Sequence, residues 1–221
     1  MGAETTPWPL GNGPTCIPLA VKIAFTVYMA VLIPVYWNSW GPLNFLWFCD
    51  VCMILTTVAL WLEIPLLLSM LAVAIVVPQL LWAGDFASRL ILGKHFFFNI
   101  SSYMFNDEQP LFVRGLSTFH GWLPFLLLWM LWCVGYDRRA LGAQTLLAWA
   151  VLGLTFLLVT TNDPLKAGNV NYIFGLNDKE PQTWMPPACW LGVLMLLYPV
   201  CIYVPSHFLL RSVFSAPMSR V

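Results

Sequence analysis

Long apolar runs, rather than alternating polar and apolar positions, organise this chain. A helix needs about 20 mostly apolar residues to cross the hydrocarbon core of a bilayer. Runs near that length predict six spanning helices, approximately Ile17–Tyr36, Leu43–Leu62, Ile64–Trp82, Leu111–Gly135, Leu141–Thr160 and Pro187–Tyr203. Glu63 and Asp85 bound the third. Asp107 and Glu108 precede the fourth, and Asp137-Arg138-Arg139 follows it. The sixth reaches Leu210 if the helix continues past Pro205, and the 85–98 segment leaves room for an extra short helix. The expected fold is all-α: an integral membrane bundle of six helices over residues 17–210, with tails at 1–16 and 211–221. There is no internal repeat and no low-complexity tract.

Composition agrees with that pattern. Hydrophobic residues make up 60% and charged residues 9%, against roughly 25% charged in a soluble domain. Ten Lys+Arg balance ten Asp+Glu, so the chain lacks the basic footprint of a nucleic-acid binder. Residues 1–16 hold Glu4, several Pro and Gly, and no Lys or Arg. That is unlike a signal peptide, so the first span is expected to be retained.

Six spans place both ends on one side, together with Arg138, Arg139, Arg211 and Arg220. Lys22 lies about one and a half turns inside the first span and can snorkel to that side. Arg89, Lys94, Lys166 and Lys179 fall in two long loops on the other side, about residues 84–110 and 161–186. Short loops weigh most in the positive-inside rule. Both termini are therefore expected in the cytoplasm and the protein in the cell membrane.

No Walker loop, dinucleotide fingerprint, HExxH or GxSxG is present, and no cofactor or metal is expected. Chemistry must come from rare polar residues within apolar spans. Asp50 is one. Cys49 and Cys52 share a helix face and spell CxxC, which allows thiol–disulfide chemistry. Cys16, Cys133, Cys189 and Cys201 form no second close pair in sequence. His120 is the histidine of the fourth span, with Ser117 on its face and Gly121 beside it to allow close backbone approach. Counted from Leu43, Cys49 lies roughly 9 Å deep, and His120 lies roughly 10–13 Å deep from Leu111–Val113. A potential nucleophile and a potential base thus fall in one layer. The Asn169–Gly175 loop lies above them with amide and phenol donors.

Three segments resemble the YwaF-like bacterial multi-pass membrane proteins, over about residues 40–205. They are Asn44-Phe45-Leu46-Trp47-Phe48-Cys49-Asp50, Ser117-Thr118-Phe119-His120-Gly121, and Asn171-Tyr172 ahead of Pro181-Gln182-Thr183-Trp184-Met185-Pro186-Pro187. Relatives of that family include a membrane acyltransferase of ether phospholipids and androgen-induced-type hydrolases of fatty-acid esters. The resemblance implies a nucleophile at Cys49 and a catalytic histidine at His120. The family pattern has a histidine two residues before the cysteine, where this chain has Trp47.

Three functions follow as expectations. A lipid acyl hydrolase or transacylase would use Cys49 as nucleophile and His120 as base. Asp50, Arg114 and Ser117 are its orienting or substrate-binding candidates, and Asn171 and Tyr172 its oxyanion donors. The second is a non-catalytic lipid- or pigment-binding subunit of a membrane-protein complex. The third is a CxxC oxidoreductase. Membrane lipids are the expected partners in the first two.

Overall fold

The computed structural model describes residues 16–96, 99–161, 169–176 and 181–214. Lys166, Lys179 and Arg220, three of the cations expected to mark the two sides, lie outside the described residues. Among the described residues the chain is all helical, without strands. Five helices are long and apolar enough to cross a membrane: α1 (Leu19–Trp40), α3 (Pro65–Leu92), α4 (Leu111–Val134), α5 (Ala140–Val159, continuing to Thr161) and α6 (Pro187–Phe214). The architecture is that of a multi-pass membrane protein. A shorter apolar helix, α2 (Phe48–Leu62), lies between α1 and α3.

Sequence and structure part in four places. First, the predicted second span does not form one helix. Pro42–Leu46 winds as a 3-10 turn and Trp47 is extended, with φ −58° and ψ 137°, so α2 begins only at Phe48. Proline fits a first helical turn, and this turn ends before the α-helix can take over. Second, α3 does not stop before Asp85 but continues to Leu92, and the 85–98 segment holds no separate helix among its described residues. Third, α4 breaks at Ser117–Thr118. Thr118 Oγ1 donates to the Gly115 carbonyl at 2.7 Å, the kind of local side-chain bond that competes with a helix. Fourth, α6 passes both Pro199 and Pro205 and reaches Phe214. A π turn over Tyr198–Tyr203 absorbs the missing proline donor, and Val204 N–H closes it onto the Pro199 carbonyl.

α1 carries apolar residues on both its buried and its exposed face. In α1, Leu19, Ile23, Val27 and Val31 form an exposed stripe at four-residue spacing, whereas Phe25, Met29, Leu32 and Tyr36 are buried. A stripe of that kind suits lipid, not water. The core packs α1, α2, α3 and α4 around Met53, Leu68, Leu71, Leu123 and Leu127. A second cluster seats Ile173 and Phe174 against Leu152, Trp190 and Leu194.

Charged groups sit at the two ends of the bundle. At the end holding Cys16 and Glu63, Glu63 has φ 48° and accepts from Cys16 N–H at 2.9 Å, Ile17 N–H at 3.3 Å and Lys22 Nζ at 2.8 Å. Lys22 does reach this end, as its position in the first span allows. Asp137 pairs with Arg139 at 2.7 Å, and that hydrogen bond holds its carboxyl below the usual carboxylate range. At the other end Asp85 is fully buried. Its carboxylate accepts from His95 Nδ1 at 2.9 Å, Phe96 N–H at 3.0 Å, and Ser101 N–H and Oγ at 3.1 and 2.6 Å. These bonds compensate burial of the carboxylate, which is why an acidic residue does not end the helix here.

Candidate functional site

Polar side chains from α1, α2, α3, α4 and two loops meet near the Asp85 end of the bundle. Their placement starts with α2. Phe48 N–H, an orphan donor of the first helical turn, donates to Asn171 Oδ1 at 3.0 Å, and Asn171 Nδ2 donates to the Leu46 carbonyl at 2.7 Å. A loop residue more than 120 positions away thereby sets where α2 begins. Asn171 and Tyr172 both hold left-handed backbones, φ 53° and 59°. Tyr198 Oη and Trp190 Nε1 donate to their carbonyls at 3.3 and 2.8 Å. Asn171→Ala removes both side-chain bonds at a left-handed position and should cost about 2–3 kcal/mol. Hydrogen exchange should rise at residues 46–50, and unchanged exchange there would dismiss the clamp.

Cys49 and Asp50 consequently occupy the first turn of α2, and the depth count from Leu43 does not follow one regular α-helical rise, because a 3-10 turn and the extended Trp47 intervene. Asp50 is 3% exposed. Its Oδ2 accepts from Asn44 Nδ2 at 3.1 Å and from the Cys49 thiol at 3.8 Å. Its Oδ1 is buried without a hydrogen-bond partner among the described residues. Cys52, one turn on, is buried and exchanges a 3.8 Å hydrogen bond with Thr56 Oγ1.

The break in α4 shapes the histidine. Ser117 O accepts from His120 Nδ1 at 2.8 Å. A carbonyl only accepts, so Nδ1 carries a proton, and in the neutral ring Nε2 is the acceptor. The ring stacks on Trp82 at 4.8 Å and Phe119 at 4.1 Å. Among the described residues no hydrogen bond joins His120 to Cys49; the thiol's partner is Asp50. Ser117 Oγ shares a 2.7 Å hydrogen bond with Tyr36 Oη, and Tyr28 Oη donates to the Leu116 carbonyl. A Cβ placed on Gly121 would meet nothing within 4 Å, so the expected close backbone approach there is not made.

Tyr103 joins this polar region from the loop before α4. Its hydroxyl lies beside Ser117 and Trp82 and within electrostatic reach of Cys49 and Asp50. Desolvation raises that hydroxyl above the usual phenol range, so it remains a donor at neutral pH. Arg114 Nη1 donates to the Met104 carbonyl at 3.1 Å and holds the Ser102–Phe105 turn that carries Tyr103. Arg114 therefore orients this turn, and its Nε is buried without a hydrogen-bond partner among the described residues. The Trp82 indole N–H faces the Tyr103 hydroxyl, and both polar atoms of Gln79, one turn earlier on α3, are buried without hydrogen-bond partners among the described residues.

Among the described residues no three His, Cys, Asp or Glu side chains gather as a metal site. Of the candidates, Cys49, Asp50, Ser117 and His120 belong to one polar region, with Tyr103, Asn44, Tyr28 and Tyr36 as members that sequence patterning missed. Asn171 and Tyr172 border it but are committed to α2, Trp47 and Trp190. Asp50→Ala strands the Asn44 amide and should cost about 1–3 kcal/mol, whereas Asp50→Asn keeps an acceptor and should cost less. Equal stability of both variants and wild type in detergent unfolding would place Asp50 in water.

No protein family's pattern matches the chain, and no curated protein or solved structure matches it.

Proposed function

We propose that this chain is a membrane-embedded acyl hydrolase or transacylase of the YwaF-like kind, acting on a lipid ester through Cys49 and His120. The observation that carries the reading is the cost of the site. A thiol, a carboxyl, phenols, a hydroxyl and an imidazole are gathered in an apolar bundle, with an Asp50 carboxyl oxygen and the Arg114 Nε–H left unpaired among the described residues. Buried polar groups without partners are destabilising, and a bound ester supplies both an acceptor and an apolar chain. Cys49 sulfur attacks the ester carbonyl carbon, and its proton passes to His120 Nε2. Tyr103 and Trp82 donate to the oxyanion. Collapse breaks the C–O bond, and the leaving alkoxide takes the proton from His120. Water hydrolyses the thioester, or an acceptor alcohol takes the acyl group.

The chain crosses the membrane six times in this proposal. The 3-10 turn and α2 together cover roughly 30 Å, enough for the hydrocarbon core. Both termini then face the cytoplasm across the cell membrane. A second reading, a non-catalytic lipid- or pigment-binding subunit, is favoured by the placement of Asp50 rather than His120 beside the thiol. A thiol-directed acyl probe separates the two. The enzyme labels at Cys49 and loses labelling in His120→Gln; a binding subunit labels Cys49 no faster than Cys52, with or without His120.

A further inference from the structure

We propose that Cys16 and Cys133 form a thiol–disulfide site, oxidised by a disulfide-bearing oxidant to a bridge tying the start of α1 to the end of α4. The two residues are 117 positions apart, and Cys16 Sγ lies 3.1 Å from the Cys133 carbonyl oxygen. The two thiols are near enough to interact electrostatically. A second set of contacts fixes the backbone beneath the first sulfur: the Glu63 carboxylate accepts from Cys16 N–H at 2.9 Å and from Ile17 N–H at 3.3 Å. The second sulfur stands on the last turn of α4, closed by Gly135 N–H on the Leu131 carbonyl at 2.8 Å. The backbone beneath both thiols is thus fixed by the fold. Cys16 is exposed and Cys133 half-buried, so a small oxidant reaches them. The pair lies at the Glu63 end of α2, about 20 Å along that helix from Cys49. It is independent of the acyl-transfer reading and is no relay for the CxxC.

In the reaction, one thiolate of the pair attacks a sulfur of the oxidant and releases half of it as a thiol. The other thiolate attacks the mixed disulfide and releases the second half. One S–S bond breaks and one forms. Two protons pass from the protein thiols to the product thiols, and two electrons pass to the oxidant.

The test uses the full chain in detergent micelles with oxidised glutathione, acid quenching, maleimide alkylation and non-reducing peptide mass spectrometry. Two of the six thiols should become unreactive, with a Cys16–Cys133 cross-linked peptide. Cys16→Ser should form no bridge. Glu63→Gln, which turns one acceptor into a donor facing a backbone N–H, should slow bridging about tenfold by loosening Cys16. Glutathione adducts on Cys16 without a bridge, or six alkylated thiols, would overturn the proposal.

Discussion

Cys49→Ala should abolish acyl-ester turnover while leaving the bundle folded, and His120→Gln should reduce turnover by about 10²–10⁴-fold. The two substitutions act at different points. Cys49→Ala removes the atom that becomes covalently acylated, so no acyl-enzyme accumulates at any pH. His120→Gln keeps a side chain able to bond the Ser117 carbonyl, which accepts from Nδ1 at 2.8 Å, but removes the proton acceptor at Nε2. It should lower the rate of acylation more than substrate affinity. Tyr103→Phe should fall between them, because the phenol lies beside Ser117 and Trp82 and within reach of Cys49. Turnover of a long-chain aryl ester in detergent micelles, with thermal unfolding as the control for folding, measures all three. A Cys49→Ala protein that retains wild-type turnover sinks the mechanism and promotes the binding-subunit reading.

The membrane class and the helical fold were legible because they depend on the sum of many apolar positions. Helix ends were less so, because single residues decide them. Asp85 reads as a boundary in isolation, yet four hydrogen bonds from His95, Phe96 and Ser101 let the helix continue through it. Leu43–Leu62 reads as one span, yet Asn171 takes the Phe48 N–H and fixes the helix start five residues later. No local pattern encodes a partner 123 residues away. The site shows the same division. Cys49, Asp50 and His120 stand out because polar groups are rare in such runs. Tyr103 does not, because a tyrosine in a loop is ordinary until Arg114 holds its turn against Ser117. Cys16 and Cys133 form no pair in sequence and become neighbours only when α1 and α4 pack side by side.

Glu63→Ala should be among the most destabilising single substitutions in the chain, costing about 2–4 kcal/mol. Glu63 accepts from two backbone N–H groups and from Lys22, whose side chain is 6% exposed against 17% for Glu63. Removing the carboxylate strands a nearly buried ammonium and two donors together. Lys22→Met with Glu63 retained should cost less, because Cys16 and Ile17 N–H still satisfy the carboxylate. Desolvation pushes the Glu63 carboxyl up, but the bonds from Lys22, Cys16 and Ile17 outweigh it and leave the group below its ordinary value of 4.5. A depressed folded-state value means that the unfolded chain binds the proton more readily. The stabilisation is therefore fully present above the unfolded carboxylate range, near pH 4.3, and is lost as pH falls through the lower folded-state value. Wild type should lose stability on acidification below about pH 4.5, and Glu63→Ala should lose less over the same interval. Thermal unfolding in detergent from pH 3 to pH 7 reads the difference. Parallel profiles for the two proteins would remove Glu63 as the group that ties Cys16, Lys22 and the α2–α3 turn together.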